Sequence, residues 1–384
     1  MGSRDELAGW LRLATTPGIG RATARRLLAA LGSPERVLGA DADTLLALVG
    51  QDVVHILKRR EARDDAQVDA TERWLAEADA TAPRGLVMLG DARYPELLLH
   101  SADPPLLLFT LGRVDLLSAP SIAIVGSRSA TPQGMDNARA FGRFLSGRGL
   151  TIVSGLAMGI DGAAHEGGLA GPGSTIAFVG TGLDRVYPPR HAALARRIAE
   201  QGLVCSEFSL GADATPRRFP QRNRLIAGVA RGTLVVEAAI ESGSLITARM
   251  ALECGREVFA IPGSIHSPQS RGCHRLIQEG AKLVETGDDI LRELRPGPDG
   301  APATARLSAP GRSLFATADD AAAQAPGPDA ALVAALGHDP VTFDVLAART
   351  GLPSERLSAR LLELELSGQV QRLPGGLLQR RVAT

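Results

Sequence analysis

Aromatic residues make up only 3% of this 384-residue sequence. Lysine occurs only at Lys58 and Lys282, and cysteine only at Cys205, Cys254 and Cys273. The cysteines are odd in number, far apart and without CxxC spacing, which argues against a disulfide framework and a structural zinc and points to reduced thiols. No stretch of about 18 apolar residues is present, so a membrane-spanning helix is not expected. The N-terminus MGSRDELAGW carries charge where a signal peptide needs an apolar run. A cytoplasmic protein is expected. Lys plus Arg and Asp plus Glu both number 42, so no global basic field exists and any nucleic-acid site must come from local clustering of cations. With so few aromatics the core must be Leu, Val, Ile and Ala, and an aromatic outside a periodic pattern becomes a functional candidate. Phe219 is such a residue.

The apolar pattern divides the chain. Residues 1–80 read as a helical domain, with the turn Pro17-Gly18-Ile19-Gly20 between two helices in the manner of a helix-hairpin-helix or SAM-like module. A Gly turn of this kind can offer backbone N–H groups to a phosphate, and a plain helix–helix turn is an equal reading. Residues 85–294 alternate short β-branched runs with helical stretches, which predicts an α/β, Rossmann-like, mostly parallel sheet. The predicted strands are 121–126, 150–154, 174–180, 203–208, 233–238 and 257–263, with GLVMLG and PPLLLFTLG adding strands at an edge. Residues 295–328 are rich in Pro, Ala, Gly and Ser and read as a flexible linker. Residues 329–384 read as a winged-helix-like module, but six Arg against five acids over 331–384 is weak electrostatics for duplex binding, and a protein-interaction role is as well supported.

The candidate chemistry falls at predicted carboxyl ends of strands, where open parallel sheets bind ligands. Ser127 and Arg128 of Val125-Gly126-Ser127-Arg128 precede a helix whose N-terminus favours anions. The register lacks GxGxxG, so a dinucleotide is not expected. In Ser154-Gly155-Leu156-Ala157-Met158-Gly159-Ile160-Asp161-Gly162-Ala163-Ala164-His165, Gly155 permits close backbone approach. Asp161 and His165 lie one helical turn apart and read as a structural cap and hydrogen-bonding pair, since no third ligand or nucleophile accompanies them. Arg217, Arg218, Phe219, Arg222, Asn223 and Arg224 cluster at one loop-to-helix junction. Arginine forks suit phosphates, and a Phe face can stack a base for about 1–3 kcal/mol. A solvated basic turn with a core Phe is the competing reading. Gly243 and Ser244 open a helix whose N–H groups could nest an anion, which Glu241 would oppose unless it is turned away to an arginine.

Taken in order, VGSR, SGLAMGIDGAAH, FPQRNRLIAG, ESGSLITARMALE, IPG and RGCHRLIQEGA resemble the motif series of the DprA/Smf (DNA-processing protein A) family over about 85–292. The resemblance implies an extended Rossmann fold that binds single-stranded DNA with little sequence preference, dimerises, protects incoming DNA and helps load RecA onto it in transformation. It brings no catalysis, cofactor or metal. Its single-strand-binding positions fall on Arg128, Phe219, Arg222, Asn223 and Arg224; Arg217 and Arg218 are added from charge alone. Arg128, Arg222 and Arg224 are expected to neutralise phosphates while Phe219 stacks a base. His274 stands where many relatives carry Asn. The alternatives are a nucleotide hydrolase of the LOG type, disfavoured because Glu241-Ser242-Gly243-Ser244-Leu245 is not a PGGxGT loop, and a duplex-binding regulator, disfavoured by the near-neutral C-terminal module.

Overall fold

A computed structural model describes residues 3–59, 62–294, 330–337, 340–373 and 375–380. The stretch read as a linker, 295–328, lies outside the described residues. The central sheet has nine strands: β1 (Arg84–Met88), β2 (Leu107–Gly112), β3 (Ser121–Val125), β4 (Thr151–Ser154), β5 (Thr175–Phe178), β6 (Leu203–Ser206), β7 (Gly232–Val235), β8 (Glu257–Ala260) and β9 (Lys282–Leu283). Their order is β1-β2-β6-β5-β4-β3-β7-β8-β9. From β6 to β9 all pairings are parallel, and β1 and β2 add an antiparallel edge.

Helices cover both faces, which is why the strands read as continuous apolar runs. In β3 the side chains alternate, with Ile122 and Ile124 in one core and Ala123 and Val125 in the other. The first core also takes Leu145 from the helix Pro132–Gly147 and Phe259 from β8. The second takes Leu225, Ile226 and Val229 from the helix Arg218–Val229. The antiparallel edge is the mount for the N-terminal helices: Leu7, Leu11 and Trp74 pack with Leu86, Leu107 and Phe109.

The chain fills the sheet from β3 to β6 on one side, then returns to lay β7, β8 and β9 on the other. The strand order therefore reverses between β3 and β7, and the loops leaving these two strands diverge there to open a crevice. This switch point brings residues 126–131 and 236–247 together.

After residue 330 the order is a helix Ala330–Leu336, β10 (Val341–Thr342), helices Phe343–Thr350 and Ser354–Leu366, then β11 (Val370–Leu373) and β12 (Leu377–Arg380). The three strands pair as β10-β12-β11, giving a winged helix around Leu336, Leu346, Leu357, Leu361 and Leu378. The first helix and β10 were not anticipated from the sequence, since both are short. Arg349 joins this module to the sheet domain, donating from Nη2 to Gln133 Oε1 (2.8 Å) and pairing with Asp136 (3.2 Å).

Candidate nucleic-acid interface

A cleft of about 500 Å³ opens at the switch point, within the usual size range of ligand pockets. Its wall includes Ser127, Arg128, Asp161, Arg222, Asn223, Glu241, Gly243 and Ser244. Sequence elements nearly 120 residues apart thus converge on one crevice at the carboxyl ends of β3 and β7.

Two helix starts near the switch point, at Pro132 and at Gly243, differ. At the helix Pro132–Gly147, Thr131 caps the Gly134 N–H (3.0 Å). The Glu237 carboxylate then accepts from both the N–H (2.9 Å) and the hydroxyl of Thr131. A Cβ at Gly134 would collide with that carboxylate. The expectation that this helix start receives a phosphate is corrected: the chain's own anion occupies it. Among the described residues the helix Gly243–Glu253 has only the Ser242 hydroxyl as a side-chain cap, accepting from Ser244 N–H (3.3 Å), and Gly243 is exposed. This second N-terminus is the one open to an anion. Glu241 is exposed on the cleft wall and makes no ion pair among the described residues, so it is not turned away to an arginine.

The loop after β4 folds back on itself. Asp161 Oδ2 accepts from Gly155 N–H (3.0 Å) and Ala157 N–H (3.3 Å). His165 Nε2 accepts from Leu156 N–H (3.2 Å), while its Nδ1 faces Thr175 Oγ1 (2.7 Å). Because the Thr175 hydroxyl donates to Ile152 O, His165 must be neutral with its proton on Nδ1. Burial, helped by the charges of His191 and Arg222, pushes this imidazole down to about 3. The pair is structural, as read from sequence, although each residue bonds the loop backbone rather than the other.

The arginines divide sharply. Arg222 is 3% exposed, with Nη1 donating to Gly155 O (2.7 Å) and to Phe178 O, and Nε to Asn223 Oδ1 (3.2 Å). Burial lowers it to about 10, against the pull of Asp161. Burial in turn raises the Asp161 carboxyl, against Arg222 and the loop N–H groups. Gly155 is glycine because a Cβ would sit 2.6 Å from this guanidinium. Gly155 is itself buried, with its N–H and C=O both taken. Arg224 points away from the cleft. It pairs with Glu207, bonds Asp103 O (2.7 Å), and joins Arg21 and Arg25 from the N-terminal helices around Asp103 and Glu207. Burial lowers Arg224 and raises Glu207. For Asp103 burial works upward, but hydrogen bonds from Arg21 and Arg25 outweigh it and hold the carboxyl down. Arg222 and Arg224, expected to neutralise phosphates, are instead engaged within the protein, and Gly155, expected to permit close backbone approach, is buried.

Arg128 is exposed, with its guanidinium 5.5 Å from the centre of the Phe219 ring. Phe219 lies on the end of β5, where Gly180 leaves it room: a Cβ there would be 3.1 Å from the ring. Arg217 is exposed, whereas Arg218 is half-buried over Phe208 and bonded to Asp213 O. Asn223 is half-buried in the cleft wall and Ser127 is buried, its hydroxyl accepting from Ser129 N–H (3.2 Å). Sequence reasoning missed Tyr187 against Phe219, the Glu237 cap, and Gln269, whose buried Oε1 lines the cleft without a partner among the described residues. Only Tyr187 was signalled, by the scarcity of aromatics. His274 Nε2 lies 3.0 Å from Gly263 O.

Cys205 and Cys273 are buried and Cys254 half-buried, all as free thiols. Among the described residues no cluster of His, Cys, Asp and Glu could hold a metal, and no helix is long and apolar enough to cross a membrane.

Residues 85–295 match the family model for DNA recombination-mediator protein A, and residues 316–376 match the DprA winged helix domain. The chain is 44% identical over 291 residues to Protein Smf of Escherichia coli K12, covering 76% of each. It is 50% identical over 203 residues to DNA processing protein DprA of Streptococcus pneumoniae, covering 53% of this chain and 72% of that one. The X-ray structure of DprA from Streptococcus pneumoniae superposes with a TM-score of 0.65 at 37% identity, covering 76% of this chain and 98% of that one. DNA processing protein A from Helicobacter pylori, whose structure is described for its single-stranded-DNA binding mode, superposes with a TM-score of 0.50 at 28% identity, over 55% and 95% of the two chains. With its motifs assembled around one cleft and its family model spanning the whole sheet domain, the chain belongs to the DNA recombination-mediator protein A (DprA/Smf) family.

Proposed function

We propose that the protein is a non-enzymatic, cytoplasmic single-stranded-DNA-binding protein that protects incoming DNA and loads RecA onto it in transformation, acting as a homodimer. The observation that carries the DNA reading is the cleft, which joins a free Arg128, the open helix start at Gly243 and Ser244, and the Phe219 ring. A cation and a helix N-terminus suit a backbone phosphate, and an adjoining ring suits an unstacked base, which duplex DNA does not offer. The single-strand binding described for the Helicobacter pylori relative supports this reading. The dimer and RecA rest on the family resemblance. The non-enzymatic reading is supported by Asp161 and His165, whose polar atoms are engaged by the loop backbone and Thr175.

The test is binding of the intact protein and of Arg128→Ala to a labelled oligonucleotide, single-stranded and duplex, at two salt concentrations. Arg222 and Arg224 are poor probes because their loss would disturb folding. The expected result is a salt-sensitive preference for the single strand. Arg128→Ala should weaken it roughly tenfold and reduce the salt slope by about 0.7, as for one lost phosphate contact. Equal binding of the two forms, or none, would reject the reading, and release of free base from AMP or CMP would reject the non-enzymatic part.

A further inference from the structure

The segment after β5 leaves Val186 and Tyr187 45% and 48% exposed. Exposure of this ring is unusual for the chain. Tyr94 is buried with its hydroxyl donating to Pro105 O (2.8 Å), Trp10 and Trp74 are buried, and Tyr187 is the only aromatic side chain of the exposed class among the described residues. Its ring tilts against Phe219, with centroids 5.4 Å apart and planes at 33°. Phe219 in turn lies beneath Arg128, which walls the cleft. One surface therefore runs from the cleft across Phe219 to Tyr187.

Arg190 follows Tyr187 by three residues, and Arg217 precedes Phe219 by two. Arg190 and Arg217 are exposed and have no ion-pair partner among the described residues. The neighbouring acids, Asp184 and Asp213, are both paired with Arg185. An exposed ring with unpaired arginines close in sequence, continuous through Phe219 with the Arg128 side of the cleft, has the chemistry of a stacking platform for a polyanion with aromatic bases.

We propose that Tyr187 is a second stacking position for single-stranded nucleic acid, on which a base lies as the strand leaves the cleft, with Arg190 and Arg217 facing its phosphates. This rests on the single-strand function proposed above. The strand is thereby given a path from the switch-point cleft toward the start of the helix Ala192–Gln201.

The test uses the full chain as wild type, Tyr187→Ala, Tyr187→Phe and Arg128→Ala, with labelled oligothymidylate and with the same oligonucleotide carrying 5-iodouracil for photocrosslinking. Tyr187→Ala should lose roughly 5- to 150-fold in affinity, the range of one base–aromatic stack. Its salt slope and thermal midpoint should match wild type, because no phosphate contact and no buried group is removed. Tyr187→Phe should bind like wild type, and mass spectrometry should map a crosslink to Tyr187. Wild-type affinity in Tyr187→Ala, with Arg128→Ala weakened, would overturn this inference and leave the proposed function standing. An affinity loss with no crosslink at Tyr187 would also overturn it, reducing the ring to a buttress for Phe219. Absence of single-strand binding by wild type would overturn both.

Discussion

On one side of the helix Arg218–Val229, Arg222 and Asn223 form part of a cleft wall; on the other, Arg224 sits among carboxylates that tie the sheet domain to the N-terminal helices. Arg222 is buried and Arg224 half-buried, and both are spent on the protein itself. Arg222 bridges the carbonyls ending β5 and the β4 loop, and so sets the shape of the cleft. Arg224, with Arg21, Arg25, Asp103 and Glu207, links the N-terminal helices to the sheet domain. The difference teaches that arginine density in a motif does not measure phosphate contacts. What distinguishes Arg128 is the lack of a carboxylate partner among the described residues and an open face over an aromatic ring.

The largest effect should come from Arg222→Ala, which leaves Asp161 and two carbonyls buried without their cation. Breaking a buried charge pair costs about 3–5 kcal/mol, and denaturant unfolding should show it. Cleft binding should fall with it, and a variant as stable as wild type would break the contrast with Arg128. Arg224→Ala should cost less, about 1.5–3 kcal/mol, because Arg21 still faces Glu207 at 3.3 Å. Limited proteolysis between the helical and sheet domains should report the loosened joint, while the salt slope for single strands stays unchanged.

A titration sharpens the cleft side of the comparison. His165 is held at about 3 in the folded protein against 6.5 for a free imidazole. The folded value is depressed, so protonation favours the unfolded chain: the full contribution is present above about 6.5 and drains away as pH falls toward 3. Each unit is worth about 1.4 kcal/mol, so stability should drop by about 2 kcal/mol by pH 5. His165→Gln should flatten that part of the curve, as read by thermal unfolding across pH. The smallest effect is Glu241→Gln, which removes an exposed negative charge from the cleft wall. Single-strand affinity should rise about twofold at low salt and the gain should vanish as salt screens it.

Much of this was legible from the sequence. The parallel sheet followed from apolar runs near Ile122–Val125 and Leu234–Val235, because strands buried on both faces have no polar alternation to obscure them. The site's position followed from strand ends, and Arg128, Asn223, Gly243 and Ser244 do line one cleft. The division among arginines was not legible. Glu207 and Asp103, which claim Arg224, lie 17 and 121 residues away, and no local pattern announces such a partner. The two-residue β9 was hidden for a different reason: at that length it has no period to read.

The Glu237 carboxylate, lodged at the helix start at Pro132, has a consequence for how the protein would hold a long polymer. It acts as an internal phosphate mimic, so of the helix starts at Pro132 and Gly243 only the second is open to an anion among the described residues. On the proposed single-strand function, a chain with one such seat would gain a firm hold on an extended strand chiefly through avidity, with neighbouring copies raising the local concentration of seats along the same strand. Grip would then scale with the number of protomers engaged, and a strand too short to reach a second protomer would be released quickly.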